Sequence, residues 1–193
     1  NEFDTINMAA AYYGFSNRGW EVVKFRENDL PDGLFRDEFV VGRIDDVKIA
    51  IQNLGITPPG EIDYPEELSS LYGRAIWREK LHNIANDDKT WPIFIKPYNG
   101  KQFTGRLVTG IKDLIGCGRQ EEVDIWCATP VNFVAEWRCF IYYDQVMDVR
   151  HYKGTWEKHF DPKIVKLALE MMKNKPAAFT IDIGLTDDGR TLI

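Results

Sequence analysis

No apolar run in the chain approaches the roughly 20 residues that a bilayer-spanning helix needs, and no charged-then-apolar signal segment opens it. These absences exclude a helical membrane protein and predict a soluble protein of the cytoplasm. Cysteine is scarce: Cys117, Cys127 and Cys139 are odd in number and none stands in a CxxC. That rules out a disulfide framework and a thiolate zinc site, and His82, His151 and His159 supply no HExxH or clustered ligand set in their place. Positive charge is in deficit, with a formal net charge of −6, which argues against a protein devoted to non-specific nucleic-acid binding. Neither GxxxxGK[ST] nor GxGxxG occurs, so the P-loop and dinucleotide fingerprints do not apply.

What the chain does have is bulk to bury. Across 193 residues, 44% are hydrophobic and 13% aromatic, ample for one sizeable domain or two small ones. The most informative stretch is WPIFIKPYNGKQFTGR, residues 91–106. Ile93-Phe94-Ile95 has the length of a buried strand, and the character changes abruptly at Lys96-Pro97, so the strand delivers a lysine to its own end. Tyr98 to Gly105 holds Gly100, Lys101 and Gly105 among amides and hydroxyls. Glycine lets a backbone turn its N–H groups toward an anion, and phosphate is the obvious one. The same residues also suit an ordinary hairpin with a surface lysine, and the rest of the chain must choose.

Residues 4–16 show helical spacing with Asp4 or Thr5 as cap. Glu21–Phe25 and Phe39–Gly42 read as strands, the second leading into a helix over Val47–Leu54, which predicts a small parallel α/β subdomain over about residues 1–60. Pro65–Tyr72 is a short helix and Arg74–Leu81 a strand. Strands follow at Val123–Ala128, Val134–Tyr143 and Val146–Lys153, then an amphipathic helix over Asp161–Lys173 and two closing strands around Thr186-Asp187-Asp188-Gly189.

Side chains two apart on a strand share a face, so Glu136 and Arg138 point one way while Trp137, Cys139 and Ile141 point into the core. Arg150 shares a face with Asp148 and Tyr152 on the next strand, and two facing arginines make a site for phosphate or carboxylate. Asp182 interrupts the apolar strand Phe179–Gly184, where a carboxylate needs a partner, a bound cation or an exposed edge.

Taken in order, a strand-Lys-Pro-glycine loop, a β-rich segment with an aromatic turn, a strand carrying ExR, and a late Asp-x-Gly strand with a hairpin resemble the ATP-grasp superfamily. The wording FIKPYNGKQFTG, EWRCFI and FTIDIGLTDDGRTLI is most similar to an uncharacterised bacterial and phage branch of it. The resemblance covers about residues 74–193 and leaves 1–73 as a preceding lobe. The fold class expected is α/β (α+β), an N-terminal α/β lobe followed by antiparallel, β-rich nucleotide-binding lobes.

The resemblance also implies roles. Lys96 reaches the α- and β-phosphates of ATP, and the loop with Gly100, Lys101 and Gly105 closes over the triphosphate. Ile125–Val131, with Trp126, Cys127 and Ala128, is the hinge that holds the adenine edge, and Glu136 helps bind the nucleotide. Arg138 and Arg150 face the γ-phosphate or an acyl phosphate and are the catalytic candidates. Lys80, or alternatively Arg78, is the other lysine of the grasp. Asp182 is the first of two acidic Mg2+ ligands; the second, a glutamate with an asparagine two residues later, is expected just past Ile193. The reaction implied is ATP-dependent joining of a carboxylate to an amine, both unidentified and either small molecules or peptides, through an acyl phosphate. The alternative is a nucleotide-binding assembly factor on the same fold that lacks a ligase cycle.

Overall fold

The structure is a computed structural model that describes residues 3, 5–26, 29–30, 33–100, 102–118 and 123–193. The chain divides into two compact units, 1–60 and 61–193.

In the first unit, helix α1 spans Ile6–Ser16 and is capped by Thr5, whose hydroxyl accepts the Met8 N–H at 3.2 Å. The alternative cap, Asp4, lies outside the described residues. Helix α2 spans Ile44–Asn53, and the Asp46 carboxylate in its first turn reaches back to accept the Arg43 N–H at 3.1 Å. Neither strand expected here forms: among the described residues of this unit the only β pairing is an isolated bridge between Arg26 and Asp29. The runs at 21–25 and 39–42 have the composition of strands and lack a ladder partner. Val23, Phe39 and Val41 are accordingly exposed instead of packed on a sheet.

The second unit carries two four-stranded antiparallel sheets. A 3-10 helix, Glu66–Leu71, precedes β1 (Ile76–Lys80), which runs directly into the short helix α3 (Leu81–Asn86). Strand β2 is Ile93–Pro97, β3 is Arg106–Val108 and β4 is Asp124–Ala128. These make the first sheet, ordered β1-β4-β2-β3. The second is built from β5 (Phe133–Tyr142), β6 (Gln145–Gly154), β7 (Ala178–Thr186) and β8 (Thr191–Leu192), ordered β6-β5-β7-β8, with helix α4 (Pro162–Met171) between β6 and β7 in the chain. The fold is thus mixed helix and antiparallel sheet. β3 and α3 carry no sequence signal because they are too short to show a period.

Each sheet buries one face. Ile93, Ile95, Ile125 and Cys127 pack with Leu81, Ile84, Val108 and Leu114 under the first. Cys139, Ile141, Ile181 and Ile183 pack against Val165, Ala168 and Leu169 of α4 and Leu68 and Leu71 of the 3-10 helix under the second. Since strand side chains alternate, the residues between these must face away from the cores.

Two outcomes follow from this packing. All three cysteines are buried, and burial pushes the thiols of Cys127 and Cys139 up to about 12 and about 11. A thiol reagent at pH 8 should label no cysteine in the native protein and all three in denaturant; rapid native labelling would contradict the packing. Gly154 closes β6 with φ +87°, and an added Cβ would sit 2.1 Å from the Val134 carbonyl oxygen. Gly154→Ala should therefore cost about 2–3 kcal/mol in denaturant unfolding, the scale of a backbone forced out of an allowed region, and an unchanged midpoint would show that the turn relaxes freely.

Candidate functional site

The open face of the first sheet carries a row of three side chains from adjacent strands. Trp126 on β4 is the register partner of Arg78 on β1 and of Lys96 on β2. The apolar run before Lys96 buries alternate residues, Ile93 and Ile95, and so sends Lys96 to the other face. The Arg78 guanidinium lies 3.5 Å from the centroid of the Tyr98 ring and 5.4 Å from that of Trp126, a cation held on aromatic faces. Tyr98 and Tyr64 both contact Trp126, at 5.4 and 5.3 Å between centroids. A shallow pocket opens here, lined by Glu61, Asp63, Tyr98, Asn99 and Trp126.

Lys96 Nζ is 2.7 Å from the Asp63 carboxylate and 4.2 Å from the centroid of the Tyr64 ring. Gly100 turns through φ +65° and donates its N–H to Glu61 at 3.3 Å. Lysine and glycine loop thus both meet negative oxygens, as an anion site would. Lys101 lies outside the described residues. The loop is pinned at its far end: Phe103 is buried in the first core, and an added Cβ on Gly105 would come 2.8 Å from the Phe94 ring. Arg106 holds it further, donating to the carbonyls of Thr104, Asp113 and Ile115.

Lys80 stands apart from Lys96, in an exposed ion pair with its cross-strand partner Asp124 at 2.7 Å. Arg78, the alternative, is the basic residue of β1 that shares a row with Lys96. Of the expected hinge Ile125–Val131, Trp126, Cys127 and Ala128 lie on β4, a central strand with register partners on β1 and β2 at all three positions. Their backbone is committed to the sheet, and the Thr129 N–H is still taken by Ala75. The Cys127 side chain points into the core. A contiguous extended run cannot reveal which of its residues have neighbours on both sides.

On the second sheet, a matching row crosses three strands. Arg138 on β5 is the register partner of Arg150 on β6 and of Asp182 on β7, so the three residues expected to face phosphate and metal are side by side. Arg138 makes two charge-assisted hydrogen bonds to Asp182, Nε to Oδ1 and Nη2 to Oδ2, both 2.7 Å. This pairing raises the Arg138 pKa above its ordinary value. Arg150 is held by Asp148 at 2.6 Å. Glu136, one row along, accepts from Tyr152 at 3.0 Å and from Lys153 at 2.5 Å. Burial, reinforced by Asp182 and Glu136, pushes the Tyr152 phenol up, so it stays protonated as a donor.

Magnesium takes oxygen ligands and is commonly held by one or two carboxylates together with substrate phosphates. Asp182, half-exposed on β7, fits as one such ligand in place of its pairing with Arg138. Among the described residues there is no cluster of three or more histidine, cysteine, aspartate or glutamate side chains suited to hold a metal unaided. Nor is any helix among them long and apolar enough to cross a membrane.

Glu61 and Asp63 are site residues that sequence reasoning does not single out. The acidic-aromatic wording EIDY directly after Pro58-Pro59-Gly60 is the one feature that marks them.

No curated protein matches the chain. Among solved structures, it is similar to the macrocyclase MdnC bound with precursor peptide MdnA from Microcystis aeruginosa MRC, at 18% identity over 66% of this chain and 46% of that one, with a TM-score of 0.45. It is similar to the ATP-grasp ligase PsnB complexed with precursor peptide PsnA2 and AMPPNP, at 14% identity over 64% and 43%, TM-score 0.46. A third is N5-carboxyaminoimidazole synthetase from Staphylococcus aureus, at 14% identity over 66% and 40%, TM-score 0.42. The chain spans less than half the length of each. A family model described as an ATP-grasp domain, the second family of its clade, matches residues 71–193, more than half of the sequence and all eight strands found among the described residues. The chain belongs to the ATP-grasp family.

Proposed function

We propose that the chain binds ATP with Mg2+ and takes part in ATP-dependent joining of a carboxylate to an amine through an acyl phosphate, with an amino acid or peptide among the acceptors. Residues 74–193 form the nucleotide-binding part and 1–73 the lobe that precedes it. The observation that carries the reading is the pair Lys96 and Gly100: a lysine at a strand end and a backbone N–H of the following loop both point at negative oxygens. In a family that handles ATP, these are the groups to hold the phosphates.

In such a reaction the protein chiefly positions reactants and neutralises developing charge. Lys96 and the Gly100 loop bind the phosphates, and Arg78, on its aromatic platform, adds positive charge on the same face. Asp182 would be the residue to hold Mg2+, whose charge would help neutralise that of the transferring group. Arg138 and Arg150, register partners on β5 and β6, would face the γ-phosphate and the acyl phosphate.

A nucleotide-binding factor without a ligase cycle is the second reading. It draws on the fact that both arginines already have carboxylate partners, Asp182 and Asp148, as in a purely structural polar face.

Lys96→Ala should weaken Mg·ATP binding at least about tenfold in calorimetry, since a charge-assisted phosphate contact is worth about 1.5–3 kcal/mol. Unchanged affinity in a folded variant would remove the ATP site from this loop. The two readings separate in turnover. Arg138→Ala or Arg150→Ala should lower acceptor-dependent ADP formation roughly a hundredfold and leave ATP affinity within a few fold. A wild-type protein that binds Mg·ATP but forms no ADP above background, screened against carboxylates with amine partners, favours the second.

A further inference from the structure

The anion site on the first sheet is already filled by the chain itself. Glu61, Asp63 and Tyr64 come from one short irregular segment at the start of the second unit. Asp63 Oδ1 lies 2.7 Å from Lys96 Nζ, and Glu61 Oε1 accepts the Gly100 N–H at 3.3 Å. Tyr64 places its ring against the same ammonium and packs edge-on against Trp126 and Tyr72. Two carboxylates two residues apart therefore occupy the two groups that the phosphate reading assigns to a triphosphate.

We propose that Glu61 and Asp63 are an internal stand-in for phosphate: the segment holds the site in the free protein and gives way when a nucleotide arrives. The proposal rests on the phosphate reading of Lys96 and Gly100. Carboxylate and phosphate oxygens compete for the same donors, so a nucleotide can bind only the fraction of molecules in which the segment is out, and its apparent affinity falls by that fraction. The latch is light. The Asp63 and Lys96 side chains are 41% and 26% exposed, and a pair so open to water contributes little. Tyr64 sits at φ +49°, a left-handed conformation unfavourable for an aromatic residue, so the segment does not rest in its most relaxed form. Occupancy by a carboxylate also keeps Lys96 from drawing in other small anions.

The test compares the wild-type chain with Glu61→Gln, Asp63→Asn and the double variant, which keep the shape and remove the charge. Mg·ATP binding is measured by calorimetry and amide exchange is followed over residues 61–64. The proposal expects tighter binding, by up to about fivefold for each single variant and about tenfold for the double, the scale of exposed ion pairs. It also expects exchange over 61–64 in the wild type to speed up when ATP is added. Equal or weaker binding by the variants, or slower exchange in that segment, overturns the proposal while leaving the ATP site in place. If neither wild type nor variants bind ATP, the ATP reading falls and the proposal with it.

Discussion

The alternation of side chains along β4 and β5 is the constraint on which the rest of the second unit depends. On β5, Ala135, Trp137, Cys139 and Ile141 are all buried, so Glu136 and Arg138 have no choice of face. β5 has a neighbour on each side for most of its length, which locks its register at both edges and fixes Arg138 between Arg150 and Asp182. On β4, burial of Ile125 and Cys127 likewise turns Trp126 outward, between Arg78 and Lys96. A slip of one residue in either strand would bury a charge and expose an apolar row, at a cost of several kcal/mol per unpaired ion. The polar rows are as firmly placed as the cores beneath them.

Four cations on these open faces each meet a carboxylate. Lys96 meets Asp63, Lys80 meets Asp124, Arg138 meets Asp182 and Arg150 meets Asp148. In a chain of net charge −6, a polyanion approaching these rows cannot rely on long-range attraction, so binding depends on local exchange of one anionic partner for another. Each of these pairs is partly exposed, where the net worth of an ion pair is small and a phosphate or a metal can compete. The Arg138–Asp182 pair makes this exchange reciprocal: a cation that takes Asp182 leaves a guanidinium without its partner, and an anion that takes Arg138 leaves a carboxylate without its own.

Much of this was legible in the residues. Lys96 announced itself because an apolar run of strand length ended on it, and Glu136 and Arg138 because the ExR spacing put them on one face. The pairing of Arg138 with Asp182 was not, since it joins residues 44 apart and cross-strand partnership leaves no local mark. The strands expected near Val23 and Val41 failed for a related reason: β composition expresses itself only where a ladder partner exists. The hinge over Ile125–Val131 is an implication of the family resemblance, while the pairing of β4 on both sides is a property of the sheet that the residues do not show. Glu61 and Asp63 leave no such mark, because short acidic segments are usually solvated and only the folded chain brings them to Lys96 and Gly100.

The central claim is that Lys96 stands against the phosphates of a bound nucleotide. ATP whose γ-phosphate carries an acyl tag tests this directly: a lysine amine lying against the phosphates attacks the acyl carbonyl, keeps the tag and releases ATP. Peptide mapping after such labelling should find the tag on Lys96, and excess unmodified Mg·ATP should abolish it. A tag on distant lysines such as Lys153 or Lys175, or labelling of Lys96 that ATP does not suppress, would contradict the account.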